Sequence, residues 1–285
     1  MKVISSKLLT SPLKWALGSW SLFIAENFVL SENRTYLINA VGDDNYHYMY
    51  GTCSTAAVGS IVYGYFYKVR GNGPFRWVQS MPMPLYTKII GFIALSAGLG
   101  LVSQTAPKFQ LPLAYTADNE NSGNQSTASK KSASKNWKVR CPFDFTHPES
   151  KVLDGGIEIR GVDRITRHSG LWSFGLVGLG AACLTPSIPT SVFYSMPLMV
   201  ALLGGAHTDS RHRRGMGGNL RKDVDAKTSN VPFAAIISGN DDGIKDIIDE
   251  TKGLNLLVGV GIAGFIVMTK GRGRQKFATN RRLTN

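Results

Sequence analysis

The sequence predicts an all-α protein, a multi-pass integral membrane bundle of about six transmembrane helices with polar, partly disordered loops and no sheet. The chain has 285 residues, and 43% of them are hydrophobic. These apolar residues gather in about six blocks of roughly 17 to 21 residues, the length that lets an α-helix cross ~30 Å of hydrocarbon. Polar residues collect instead in two long loops and a basic tail. This uneven distribution favours a membrane protein.

The six apolar blocks can be placed along the chain. The first three predicted helices cover Leu13–Leu30, His47–Tyr67 and Leu85–Ser103, and the last three cover Ser169–Thr185, Thr190–Ala206 and Gly253–Thr269. Pro186 and Pro189 stop the fourth helix and start the fifth, which predicts a tight hairpin. Small residues on the second and fourth helices favour close approach of a neighbouring helix. They are Gly51, Ala56, Gly59 and Gly64 on the second, and Gly175, Gly178 and Gly180 on the fourth.

The blocks divide the chain into three regions. Residues 1–116 form the N-terminal part of the membrane domain, with helices one to three, and residues 141–285 form the C-terminal part, with helices four to six and a basic tail. Between them, residues 117–140 are predicted to be a disordered polar insert. Its stretch Ala117–Asn136 has no aliphatic residue larger than alanine, so it cannot bury enough surface to fold.

The net charge of the chain is strongly positive, with 32 Lys and Arg against 19 Asp and Glu, a formal charge of +13. Nucleic-acid-binding proteins usually gather such charge on one folded face. Here the charge flanks the apolar blocks, as expected for attraction to anionic lipid. We therefore expect membrane lipids as partners and no nucleic acid.

Several enzyme classes have no motif support. The three cysteines form no CxxC pair, and no Walker A, HExxH or GxSxG motif is present, which argues against zinc sites, NTPases, zincins and serine hydrolases. An enzyme on this scaffold would act on a lipid-soluble molecule or use a cofactor held within the helical bundle.

The strongest candidate site lies at the two ends of the predicted hairpin. Because the hairpin is tight, residues before the fourth helix and after the fifth emerge on one membrane face. His168 and His207 could ligate a haem iron axially, nearby arginines could pair with its propionates, and Asp209 could orient His207. The alternative is that these residues only anchor helix ends at lipid headgroups. The candidate cofactor-binding residues are Arg164, Arg167, His168, His207, Asp209 and Arg211.

Glu26 is the candidate catalytic residue. An ionisable side chain inside an apolar block is costly and tends to face a partner, a cavity or a substrate path. The alternative is an interfacial side chain, if the first helix ends before Glu26.

Five short motifs carry a family resemblance. The most specific is Arg164-Ile-Thr-Arg167-His168 opening a membrane helix. The others are Gly42-Asp-Asp-Asn-Tyr46, Pro82-Met-Pro84, His207-Thr-Asp209-Ser-Arg211 and Thr228-Ser-Asn-Val-Pro232-Phe233. Over most of its length the chain resembles the NnrU family of membrane proteins, which includes the plastid 15-cis-ζ-carotene isomerases.

The resemblance implies a haem b protein, and His168 and His207 at the hairpin ends are the candidate metal ligands. It also implies cis-trans isomerisation of a hydrophobic, carotene-like polyene, in an organellar or bacterial inner membrane with the plastid favoured. Two positions depart from the family, because Ala25–Phe28 and Gly180–Ala182 replace segments in which members commonly have a histidine. These departures favour an alternative function, a non-catalytic member that serves as a subunit or assembly factor of a membrane complex.

Overall fold

The all-α fold class is confirmed in a computed structural model of the chain. The structure describes residues 11–77, 83–106, 159, 161–239 and 244–270, together with short strands between residues 108 and 157. Three of the described helices are long and apolar enough to cross a membrane: Leu85–Thr105, Ile188–Arg213 and Gly253–Lys270. A fourth apolar helix, Ser169–Cys183, is shorter.

The described residues form twelve α-helices. The first six are α1 (Ser11–Glu32), α2 (Arg34–Val41), α3 (Asp43–Tyr63), α4 (Leu85–Thr105), α5 (Val162–Ile165) and α6 (Ser169–Cys183). The others are α7 (Ile188–Met199), α8 (Gly205–Arg213), α9 (Lys222–Lys227), α10 (Ala234–Ile237), α11 (Ile244–Glu250) and α12 (Gly253–Lys270). Two π-helical segments extend this set: Gly64–Val69 continues α3, and Val200–Gly204 joins α7 to α8.

The expectation of loops without strands is wrong for the connection between α4 and α5. Three antiparallel two-stranded ladders form there: β1 (Lys108–Phe109) with β4 (Phe143–Asp144), β2 (Leu113–Thr116) with β3 (Asn136–Val139), and β5 (Val152–Leu153) with β6 (Gly156–Ile157). These segments are rich in aromatic and β-branched residues, which favour extended backbone. Of the predicted insert 117–140, only β3 is described; residues 117–135 and 140 lie outside the described part.

The long helices pack as a series of neighbours: α3 on α1, α1 on α7, α7 on α6, α6 on α4, and α4 on α12. Buried side chains join them in three clusters. Trp20 and Phe193 join α1 to α7, Leu95 and Ala263 join α4 to α12, and Trp172 lies with Leu101 and Ala201 where α6 meets its neighbours.

Contacts at the helix ends show that these long helices alternate in direction. At one end, Tyr46 at the start of α3 donates to the carbonyl of Leu30 in α1 (3.2 Å), and the Lys252 amide before α12 donates to Gln104 Oε1 at the end of α4 (2.7 Å). At the other end, the Arg76 amide donates to the carbonyl of Pro186, between α6 and α7 (2.7 Å). We call the first end, where α1 and α8 finish and α6 starts, the polar end.

The fifth predicted helix is longer than the sequence indicated. Pro197 removes one backbone donor within α7, yet the helix continues through the π-helical segment Val200–Gly204 and reaches Arg213 without a break. A π-helical turn next to a proline is a common way to keep a helix continuous. His207, Asp209 and Arg211 therefore lie on a helix and not on a loop after it.

Small residues act differently on the two helices for which close packing was expected. On α6, a Cβ added at Gly175 would lie 3.0 Å from Leu198 Cα, and one at Gly180 would lie 2.6 Å from Leu95 Cγ, so packing explains these glycines. On α3, Gly51 and Gly59 have nothing within 4 Å of an added Cβ. No other part of the described chain approaches closely at these two positions.

Candidate functional site

Five charged or polar side chains meet at the polar end and form what we call the ion-pair cluster. Arg167 and His168 directly precede α6, Asp209 and Arg213 lie four residues apart on α8, and Asp225 lies on α9. Residues four apart share one face of a helix, so α8 presents Asp209 and Arg213 on the same side. The backbone before α6 is fixed by the Arg167 amide, which donates to the carbonyl of Ser229 (3.0 Å).

Asp209 is the buried centre of the ion-pair cluster, with 5% of its side chain exposed. Its Oδ2 accepts from Arg167 Nη2 at 2.8 Å, and its Oδ1 accepts from His168 Nε2 at 2.8 Å. A carboxylate with both oxygens engaged by charged or polar donors tolerates burial. Asp209 therefore joins the start of α6 to α8.

Arg167 extends the ion-pair cluster to a second carboxylate. Its Nη1 donates to Asp225 Oδ1 at 2.7 Å, and Arg213 holds the same carboxylate with two bonds of 2.6 and 2.8 Å. These bonds, the larger effect coming from Arg213, lower the pKa of the Asp225 carboxyl from 3.8 to about 2. Leaving His168 aside, the ion-pair cluster contains two guanidinium groups, of Arg167 and Arg213, and two carboxylates, of Asp209 and Asp225. Its positive and negative charges are therefore equal in number.

His207 faces a different part of the molecule. Its Nε2 lies 2.8 Å from Ser31 Oγ, and its ring stacks on Phe28 of α1 with 4.2 Å between centroids and 15° between planes. The expected pairing of Asp209 with His207 is wrong. Residues two apart on an α-helix are rotated by about 200°, so Asp209 and His207 leave α8 on opposite sides.

As arranged, the two histidines do not fit a haem held between two imidazoles. His168 and His207 bond different partners through their Nε2 atoms, and only the Nδ1 atoms, next to each residue's own Cβ, are left for a metal. An open cleft of about 380 Å³ lies beside the ion-pair cluster, but neither histidine is among the described residues that line it. Among the described residues, no group of three His, Cys, Asp or Glu side chains is placed to hold a metal ion.

The two remaining arginines of the predicted site lie apart from the ion-pair cluster. Arg164 on α5 pairs with Asp246 (3.2 Å) and Glu250 (3.5 Å) of α11. Arg211 on α8 extends towards Gly217. The structure thus brings together Arg167, His168 and Asp209, and places the other predicted residues elsewhere.

Glu26 lies within α1, six residues before its end, so the helix does not stop short of it. Its carboxylate accepts from Asn27 Nδ2 (2.8 Å) and from Ser54 Oγ of α3 (2.9 Å). Tyr50 of α3 donates in turn to Asn27 Oδ1 (2.6 Å). Glu26 therefore belongs to a polar contact between α1 and α3, separate from the ion-pair cluster.

Sequence reasoning missed two residues that hold the polar end together. Asp225 neutralises Arg167 and Arg213, and no spacing pattern signals that pairing. Asn230 accepts from Trp172 Nε1 (3.1 Å) and donates to the carbonyl of Leu202 (3.2 Å), so it ties the segment before α10 to both helices of the hairpin. Its place in the motif from Thr228 to Phe233 was the available signal.

The ion-pair cluster can hold charge and position backbone, and the Thr228 hydroxyl also accepts from Arg167 Nη1 (3.2 Å). Comparison of the chain with protein-family models, with curated proteins and with solved structures finds no match.

Proposed function

We propose that this chain is a multi-pass membrane protein of the NnrU type, with about six crossings, that serves as a non-catalytic subunit or assembly factor of a membrane complex. One observation carries the proposal: the histidines expected to bind a cofactor are engaged by other protein groups, His168 by Asp209 and His207 by Ser31. A charge-balanced set of ion pairs fixes structure without leaving a group poised for chemistry.

The exposed apolar surface of the bundle supports a membrane role. In α12, Leu257 is 70% exposed, Phe265 64% and Met268 65%. Apolar surface of this extent suits contact with lipid or with other membrane helices. The membrane we propose is organellar or a bacterial inner membrane, with the plastid favoured by the family resemblance.

A second candidate function is the haem-dependent cis-trans isomerase that the resemblance implies, acting on a carotene-like polyene. The observation that favours an enzyme is Glu26, because a carboxylate inside an apolar helix often marks a substrate or proton path. Here it is supported by Ser54 and Asn27. In this function Glu26 would hold or move a proton beside the substrate.

An isomer analysis separates the two functions. The chain is produced in cells that accumulate a cis-carotene, and the pigment isomers are separated by chromatography, with Glu26→Gln and an empty vector alongside. We expect the same isomer ratio in all three. A shift towards the trans isomer that Glu26→Gln abolishes would contradict the non-catalytic function and support the isomerase. A shift that Glu26→Gln leaves intact would also contradict the non-catalytic function, and would remove Glu26 from the mechanism.

A further inference from the structure

Two arginines outside the ion-pair cluster converge at the polar end. Arg34 lies at the start of α2, and Arg211 lies on α8. A Cβ added at Gly217 would lie 2.8 Å from Arg211 Nη2 and 3.1 Å from Arg34 Nη1. Both guanidinium groups therefore reach the same point, with no more than about 6 Å between these two nitrogens.

The loop after α8 brings Gly217 close to the two guanidinium groups. The Met216 amide donates to the carbonyl of Arg211 (2.9 Å), and the Leu220 amide donates to the carbonyl of His212 (3.2 Å), so the loop folds back over the helix end. Gly217 has a φ of 75°, a conformation that glycine adopts without strain. A larger residue here would both strain the backbone and push the arginines apart.

No carboxylate among the described residues forms an ion pair with either arginine. Glu32 interacts electrostatically with Arg211, but Arg214 engages both of its oxygens, at 2.5 and 2.9 Å. Arg211 Nε is buried and has no hydrogen-bond partner among the described residues. Arg34 lies against the face of Tyr46, 5.9 Å from the ring centroid, which orients a cation without neutralising it.

Two half-buried cations held close together repel each other, and a buried donor without a partner is costly. A bound anion would remove both costs. The planar fork of a guanidinium group matches the oxygens of a phosphoryl group, and two forks that converge can hold one such group from two sides.

We propose that Arg34 and Arg211, whose guanidinium groups converge beside Gly217, form a binding site for a phosphoryl group. The site lies where long apolar helices end, the level at which the headgroups of anionic lipids lie, and free phosphate offers the same oxygens. The site is separate from Glu26 and from the ion-pair cluster, so it does not depend on whether the chain is an enzyme.

The test measures lipid binding to the full chain purified in mild detergent. Native mass spectrometry follows the titration of phosphatidic acid, with phosphatidylcholine for comparison. We expect one tightly bound phosphatidic acid per chain, with binding at least tenfold weaker in Arg34→Gln and in Arg211→Gln. The matched control is Arg221→Gln, which removes the same charge from an exposed arginine paired with Asp223 in the loop beyond Gly217. It should bind as the wild type does.

Two further arms make the result decisive. Inorganic phosphate is added as a competitor: displacement of the lipid identifies a site for free phosphate as well, and no displacement identifies a headgroup site. Arg211→Lys keeps the positive charge but lacks the planar guanidinium group, and we expect it to bind with intermediate strength. It tests the site even if a glutamine variant fails to fold. The proposal is overturned if the wild type binds neither probe, if Arg34→Gln and Arg211→Gln bind normally, or if Arg221→Gln loses as much binding as they do.

Discussion

At the scale of single residues, Asp209 is the most buried side chain of the ion-pair cluster. It is nearly fully buried and accepts from two side chains that precede α6. Buried ion pairs contribute little net stability compared with apolar packing, but removing one partner leaves a buried charge without compensation. Removing the Asp209 carboxylate should therefore cost more stability than the loss of its two hydrogen bonds, because it leaves a buried charge at the contact between the start of α6 and α8.

Asp209→Asn should destabilise the protein by about 2 to 4 kcal/mol, because it leaves the Arg167 guanidinium only partly neutralised in a buried position. The measurement is the thermal midpoint in detergent, followed by tryptophan fluorescence. Asp223→Asn is the matched control, since the Asp223–Arg221 pair is exposed and such pairs contribute about 0 to 1 kcal/mol. Equal shifts in the two variants would show that Asp209 has no special structural role.

Stability should also depend on pH through Asp225. Its folded-state pKa is lowered to about 2 from 3.8, so its contribution is fully present above pH 4 and is lost as the pH falls from about 4 towards 2. Asp225→Asn should lower the thermal midpoint at pH 7 and flatten the decline below pH 4. A variant that declines as steeply as the wild type over that window would contradict the assignment.

The residues of the candidate site were only partly predictable from the sequence. The hairpin correctly indicated that Arg167, His168 and Asp209 would meet, because both helix ends emerge at one face. The pairing of His207 with Asp209 failed because the helix was assumed to end before them. Once the helix continues to Arg213, the two-residue spacing places these side chains on opposite sides.

At the scale of helices, glycines set the contact between α4 and α6. A Cβ added at Gly98 would lie 2.8 Å from the Val177 backbone nitrogen and 2.9 Å from the Ser173 carbonyl oxygen. Ser173 Oγ donates to the Gly98 carbonyl at 2.8 Å, so the two backbones are in direct contact. Small residues allow this kind of approach between apolar helices, where no hydrophobic force operates in lipid.

Gly98→Ala should therefore destabilise the bundle by about 1 to 3 kcal/mol, the range typical of an added methyl group in a packed interior. Gly59→Ala on α3 is the matched control, because it adds the same methyl group to open space and favours helix by up to about 1 kcal/mol. Thermal midpoints in detergent measure both. A midpoint for Gly98→Ala at or above that of the wild type would contradict the α4–α6 contact.

The positions of the long helices were predictable because apolar length is a strong local signal. Each of the six predicted blocks coincides with a helix; the ends shift by a few residues, except that the fifth helix continues to Arg213. The short helix α2, the π-helical segments and the strands β1 to β6 were not predicted. The ladders of β1 with β4 and β2 with β3 join segments far apart in sequence, such as Leu113 opposite Val139, which no local pattern reports. β5 and β6, by contrast, are separated only by Asp154-Gly155, a hairpin sequence that was available locally.

At the scale of the whole molecule, charge and apolar surface are separated in space. The helices expose apolar side chains along their lengths, and the polar end gathers the ion-pair cluster together with Arg34 and Arg211. This separation suits a protein whose bundle lies in a membrane and whose polar end contacts headgroups or partners. The ion-pair cluster and the proposed phosphoryl site both lie at the polar end, whereas Glu26 lies in the contact between α1 and α3.

The most direct test of the account is the absorption spectrum of the full chain, produced with haem supplied and purified in mild detergent, before and after reduction with dithionite. His168 is engaged by Asp209, and His207 by Ser31. We therefore predict that the purified chain does not contain haem at one equivalent per chain, so its visible spectrum has no haem band of that intensity. His168→Ala, His207→Ala and the exposed control His47→Ala should give the same spectrum as the wild type. A sharp reduced band in the wild type that is lost in His168→Ala or His207→Ala, and kept in His47→Ala, would contradict the account and establish a haem protein.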